Sequence, residues 1–146
     1  MTGTVHIPAA AVDLLRDGLR SQMAQSARRI ADGDGQLDRR EHPERDQELL
    51  RRIDALRALL DDIGWSTPPS DLNIDLQTHT WALLEALRDQ VSVHANMLCD
   101  MDRDGERRAA IARSAGTLQA LALTVLLGIH ARMMCMAAAP GGSGSE

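Results

Sequence analysis

The chain has 146 residues and a net charge of −5, a length that suits one domain with a sizeable core. It contains two Trp but no Phe or Tyr, and its 16 basic residues, all Arg, are interleaved with 21 acidic ones. This balance argues against a nucleic-acid or anionic-membrane surface, which needs clustered positive charge. Aliphatic residues and Met build helical cores better than sheets, so we expect an all-α fold.

Four segments have helical periodicity, at approximately 8–31, 43–63, 72–100 and 104–138, followed by a flexible tail at 139–146. The second segment has the cleanest stripe and ends at Gly64, a residue suited to a helix C-cap. The stripe alternates steps of four and three residues at Leu49, Ile53, Leu56, Leu60 and Ile63. Because short connections favour antiparallel neighbours, we predict an antiparallel up-down four-helix bundle.

The third and fourth segments differ in how apolar they are. The stripe of the third places His94 on the buried seam, between Val91 and Leu98. The fourth has a stripe from Ile111 to Met136 and is apolar on nearly every side between 118 and 129. We therefore expect it to be either the most buried helix or covered by a partner chain. Its uncharged part is about the minimum length of a membrane span, but polar residues dilute it, and a central bundle helix is favoured.

The stretch IADGDGQLDRRE at 30–41 follows most of the ligand spacing of an EF-hand calcium loop. Its first position fails, since Ile30 has no side-chain oxygen. Pro43 would lie inside the exiting helix of an EF-hand, where its ring clashes with the carbonyl four residues back. We therefore predict a plain connector, rich in Asp and Gly, and a helix that begins at Pro43.

A second acidic stretch, DMDRDG at 100–105, provides three calcium candidates, which are Asp100, Asp102 and Asp104. Ile111 occupies the position where an EF-hand has its bidentate Glu. The simpler interpretation makes Asp104 the N-cap of the fourth helix. Weak calcium binding is the alternative.

The pattern HAxMxC occurs twice, at 94–99 and 130–135, and its imidazole and sulfur groups suit copper(I) or zinc. Residues five apart lie about 140° apart around a helix, so one copy does not present both groups on one face. A single ligand or metal site would have to combine residues from several helices, with His79, Trp81, His130 and Cys135 as the candidates. Packed Met and buried Cys are the structural alternative.

The segment RDQVSVH at 88–94 resembles the Arg and His signature of HEPN-type ribonucleases. These are small helical domains, and the resemblance implies that Arg88 and His94 would act on an RNA phosphate. It covers seven residues of the chain. No phosphate-binding loop, nucleophile elbow or HExxH motif accompanies it.

These observations favour a noncatalytic interaction or assembly module over an enzyme. We expect it to self-associate through its apolar fourth helix as a homodimer, or to bind another helical protein. The alternatives are a small-ligand or metal-binding bundle holding Cu or Zn, and a HEPN-like ribonuclease. No cofactor is predicted. Two cysteines without a cleavable signal peptide lead us to expect a cytoplasmic location, without nucleic-acid or membrane partners.

Overall fold

The computed structural model describes residues 3–32, 43–100 and 105–138. The elements in chain order are β1 (Thr4–Ile7), α1 (Ala9–Asp32), α2 (Pro43–Ile63), β2 (Leu72–Asp75), α3 (Leu76–Asp100) and α4 (Gly105–Ala138). The predicted all-α four-helix bundle is confirmed, with a small two-stranded ribbon added to it. The up-down order of its helices stays a prediction.

The ribbon joins the start of the described chain to the start of α3. Strands β1 and β2 are antiparallel, with Thr4 opposite Asp75 and Ile7 opposite Leu72. The backbone N–H of Leu76 donates to the carbonyl of Gly3 at 2.5 Å. The third helix therefore begins at Leu76 and not at residue 72, because residues 72–75 pair with β1 as a strand.

Specific hydrogen bonds close the start of α1 and the end of α2. Helix α1 begins at Ala9, one residue after the predicted start at Pro8, and Asp71 accepts a hydrogen bond from the backbone N–H of Ala9 at 2.9 Å. Helix α2 begins at Pro43, as predicted. It ends at Gly64, whose φ is 95° and whose N–H donates to the carbonyl of Leu60 at 2.9 Å. These bonds satisfy backbone groups that helix ends leave without intrahelical partners.

Arg16 fastens the segment that follows α2 onto α1. Its guanidinium is buried and donates to the Gly64 carbonyl at 2.7 Å and the Thr67 carbonyl at 2.6 Å. It also donates to the Thr67 hydroxyl at 2.9 Å and to Asp13 at 3.1 Å. A buried charge is tolerated only when it is paired and hydrogen-bonded, and this one is both.

The core is formed mainly by leucines from all four helices, with the inner side of the ribbon closing one end. Fully buried members include Leu15, Leu19, Leu56, Leu60, Leu83 and Leu118. Helix α1 packs against α2 and α3, while α4 packs mainly against α3. At Gly18 the α1 and α3 backbones approach closely, since a Cβ there would lie 2.6 Å from the carbonyl oxygen of Ala86.

A buried carboxylate joins α1 to α3 beside this close approach. Asp89 accepts hydrogen bonds from Ser21 at 3.1 Å and from Gln22 at 2.9 Å, both on α1. Gln25 and Gln90 donate to the same carboxylate at 3.4 and 3.2 Å. Since a displaced helix would leave the carboxylate without these donors, the network fixes how α1 and α3 align.

Helix α4 is not the most buried helix, so that part of the sequence-based expectation is wrong. Its buried residues are Ile111, Leu118, Leu121 and Val125. The predicted stripe is correct up to Ile129, which is partly buried and packs against the core, but its last two residues, Met133 and Met136, are exposed. The helix contacts mainly α3, and most of its surface is left uncovered by the bundle.

Candidate interaction surface

The structure does not bring the ribonuclease candidates together. Arg88 points outward, with 78% of its side chain exposed and Nε 3.7 Å from the Glu85 carboxylate. His94 is buried, as predicted, and its Nδ1 lies 2.8 Å from the carbonyl oxygen of Gln90. Residues six apart are about 120° apart around a helix, so the two side chains leave α3 in different directions.

His79 has a structural partner on α2. It is buried on α3, and its Nε2 lies 2.5 Å from the carboxylate of Asp62, which is exposed. Trp81, two residues further, is exposed on the outer side of the same helix. The histidine therefore ties α3 to α2, and the indole leaves from a different face of the helix.

Cys135 and His130 are both exposed near the end of α4. Cys135 lines a cleft of about 490 Å³. Its other walls include Gly3, Asp75 and Arg132. The Thr78 hydroxyl, the amides of Gln77 and Thr78, and Arg132 lower the pKa of Asp75, against a smaller opposing effect of burial.

The metal candidates stay dispersed. Within residues 3–32, 43–100 and 105–138, no group of three or more His, Cys, Asp or Glu side chains is placed to hold a metal ion. The calcium candidates Asp102 and Asp104 lie outside the described residues, as does all of the first acidic loop after Asp32. Asp100 is the last residue of α3, and its side chain also lies outside the described part of the structure.

The outer side of α4 carries a row of exposed side chains that we call the α4 ridge, formed by Leu123, Leu127, His130 and Met134. These residues follow one another in steps of four, three and four, the spacing of a helix-packing seam. Leu123 and Leu127 are each 59% exposed. The same steps continue backwards through Ala120 to Gly116, both exposed as well.

Beside the ridge lies an apolar groove between α3 and α4. It consists of two shallow cavities of about 380 and 160 Å³ that share Val91 and Ala95 in their walls. Helix α4 contributes a second row of residues to its floor, and this row again advances by four, three and four. We call it the groove row: Ala115, Gln119, Ala122 and Leu126. The groove and the ridge therefore form one continuous face.

Charge is sparse on this face. No charged residue occurs between Arg113 and Arg132. Helix α4 is long and apolar enough to cross a membrane by length and composition, and 11% of its most apolar 18-residue window is buried. A core helix of this composition would be mostly buried, so α4 presents an apolar surface that the bundle itself does not cover.

The apolar excess of α4 is predictable from the sequence, but its ridge is not. The strongest stripe in the sequence is the one that packs on α3, and the second row is visible only as a separate alternation starting at Gly116. The chain matches no protein-family model, and comparison with curated proteins and with solved structures gives no match either.

Proposed function

We propose that the protein is a noncatalytic assembly module that self-associates through the outer face of α4. One observation carries this proposal: six large apolar side chains of a single helix are each more than half exposed. They are Leu123, Leu126, Leu127, Met133, Met134 and Met136. A contiguous apolar face of this kind on a soluble protein is typical of an interaction surface.

The distribution of polar groups supports assembly over chemistry. His79 and His94 are engaged with Asp62 and with the Gln90 carbonyl, and Arg88 points away from both histidines. A catalytic site needs its acid, base and binding groups to converge on one cavity. The ligand-binding and ribonuclease alternatives therefore have less support than self-association.

A protein partner suits the face better than a membrane does. The inner side of α4 is packed into the bundle through Leu118, Leu121 and Val125, so spanning a bilayer would require withdrawing these leucines and this valine from the core. Binding flat on an anionic surface would require a basic rim, whereas the chain has a net charge of −5. A second copy presents an equally apolar and uncharged face.

Light scattering after gel filtration, together with sedimentation equilibrium, tests the proposal on the full chain at micromolar concentrations. We expect a dimer. The double variant Leu123→Glu, Leu127→Glu should weaken it by at least about 100-fold, because two carboxylates would be buried without partners. Both leucines are more than half exposed, so the variant should retain its helical circular dichroism.

The control for the introduction of a carboxylate is the single variant Leu50→Glu, at a leucine of α2 that is 52% exposed, compared with Leu123→Glu alone as well as with the double variant. It should leave the dimer unchanged. A monomer at all concentrations in the unmodified protein would contradict the proposal. Flotation of the protein with phosphatidylcholine and phosphatidylserine vesicles, abolished by the double variant, would instead assign the face to a lipid surface.

A further inference from the structure

We infer that the occupant of the α3–α4 groove is the α4 ridge of a second copy, in an antiparallel pairing with a defined register. This inference rests on the proposed self-association and states its geometry. In a two-fold symmetric dimer each copy offers the same surface, so a ridge must meet a groove on the same face. The ridge and the groove row are adjacent on α4, which meets this condition.

The spacing of the two rows fixes the direction of pairing. The ridge occupies 123–134 and the groove row 115–126, so the rows are displaced by eight residues, or about 12 Å along the helix. A parallel two-fold dimer places each residue at the level of its own copy, so only Leu123 and Leu127 would lie beside the groove row, and His130 and Met134 would lie beyond its end. An antiparallel dimer aligns all four ridge residues with the groove row, because steps of four, three and four read the same in both directions.

The aligned rows form four pairs whose residue numbers add up to the same value in every case. The pairs are Leu123 with the partner's Leu126, Leu127 with the partner's Ala122, His130 with the partner's Gln119, and Met134 with the partner's Ala115. Each pair occurs twice by symmetry. The register therefore specifies eight side-chain contacts along two helices.

The residue types in these pairs are complementary. Leu127 and Met134 are large and face the small Ala122 and Ala115, as knobs face holes between packed helices. The two polar side chains of the rows, His130 and Gln119, face each other, and an imidazole and an amide can form a hydrogen bond. A shift by one step in either direction would place His130 against an alanine and Gln119 against Leu127 or Met134.

The dimensions are those of a small interface. From Ala115 to Met134 the face is about 29 Å long, and with the α3 wall of the groove it is about 15 Å wide. Each copy would thus cover on the order of 400 Å², and the pair about 900 Å², which is below the size of standard stable complexes and within the range of weak, transient ones. Arg88 lies at the edge of the groove and already forms an ion pair with Glu85.

Cysteine cross-linking tests the register on the full chain. The variant Gln119→Cys, His130→Cys is made with Cys99→Ser and Cys135→Ser, which replace exposed thiols. Under mild oxidation we expect most of the protein to form a covalent dimer in which peptide mapping finds 119 linked to 130. A bond within one chain is excluded, since these positions are about 16 Å apart along the helix.

The single variants Gln119→Cys and His130→Cys, in the same serine background, are the controls. Neither should cross-link, because each position lies about 16 Å from its own copy in the antiparallel register. Efficient cross-linking of His130→Cys alone would establish a parallel dimer and overturn the inference, while leaving self-association intact. A monomer by light scattering would overturn both.

A variant on α3 tests whether the groove wall takes part. Ala95→Arg fills the groove with a charged side chain and should weaken the dimer at least about tenfold. Asn96→Arg makes the same charge change one residue further, at an exposed position about 100° around the helix, and should have no effect. Equal dimerisation of both variants would contradict the seating of the ridge in the groove.

Discussion

At the scale of single residues, Gly64 combines a φ of 95° with a neighbour that leaves no room for a side chain. A Cβ there would lie 2.3 Å from the Thr67 hydroxyl oxygen, which Arg16 holds in place. We expect Gly64→Ala to lower the free energy of unfolding by about 1 to 3 kcal/mol in urea denaturation. Gly116→Ala is the control: it lies in an open helical position and should stabilise the protein by up to about 1 kcal/mol.

Asp75 gives a pH dependence whose sign is determined by its hydrogen bonds. The Thr78 hydroxyl, donating at 2.5 Å, is the main cause that lowers the pKa of this carboxyl below its ordinary value of 3.8. A lowered pKa in the folded protein means that the stabilisation is present above pH 3.8 and is lost as the pH falls through the lowered value.

Melting temperatures of the unmodified protein and of Asp75→Asn, measured across pH, test this dependence. The variant keeps one of the two oxygens that accept the capping hydrogen bonds and has no charge. The unmodified protein should be more stable at neutral pH, and the difference should shrink once the pH is below 3.8. A difference that stays constant down to the lowest pH would show that the charge of Asp75 does not contribute.

At the scale of elements, α4 carries two kinds of leucine in one helix. Leu118 is fully buried, and Leu123 is 59% exposed. We expect Leu118→Ala to lower the free energy of unfolding by about 2 to 5 kcal/mol, because it leaves a cavity in the core. Urea titration of the dilute protein measures this change. Leu123→Ala should cost no more than about 0.5 kcal/mol in the dilute monomer and should weaken the dimer. Equal losses in folding stability would mean that the ridge packs within its own chain.

The helices were predictable because their signals are local. The steps of four and three from Leu49 to Ile63, with Pro43 and Gly64 at the ends, gave α2 its correct bounds. The ribbon was missed because four-residue strands are too short to show clear periodicity, and β1 pairs with a segment that lies far away in the sequence. Its alternation of buried and exposed residues became visible only with the partner strand.

At the scale of the whole molecule, burial was harder to predict than helicity. The sequence shows that α4 is apolar on nearly every side, but which side meets the bundle depends on how α1, α2 and α3 enclose the core among themselves. His94 is buried as predicted, but its stripe is buried only in part, since Leu87 is buried and Val91 is 42% exposed. The hydrogen bond between His79 and Asp62 joins two helices, and the position of neither residue in the sequence predicts it.

The ribbon has a consequence for the order in which parts of the molecule come apart. The pairing of residue 4 with residue 75 closes a loop of chain that contains α1 and α2. The chain loses the entropy of closing this loop once, when the ribbon forms. Helix α4 lies outside that loop, so its amides can exchange with solvent through a local opening that leaves the ribbon paired. Hydrogen exchange should then reveal two cooperative units with different protection. Pairing with a second copy should slow exchange first in the unit formed by α4.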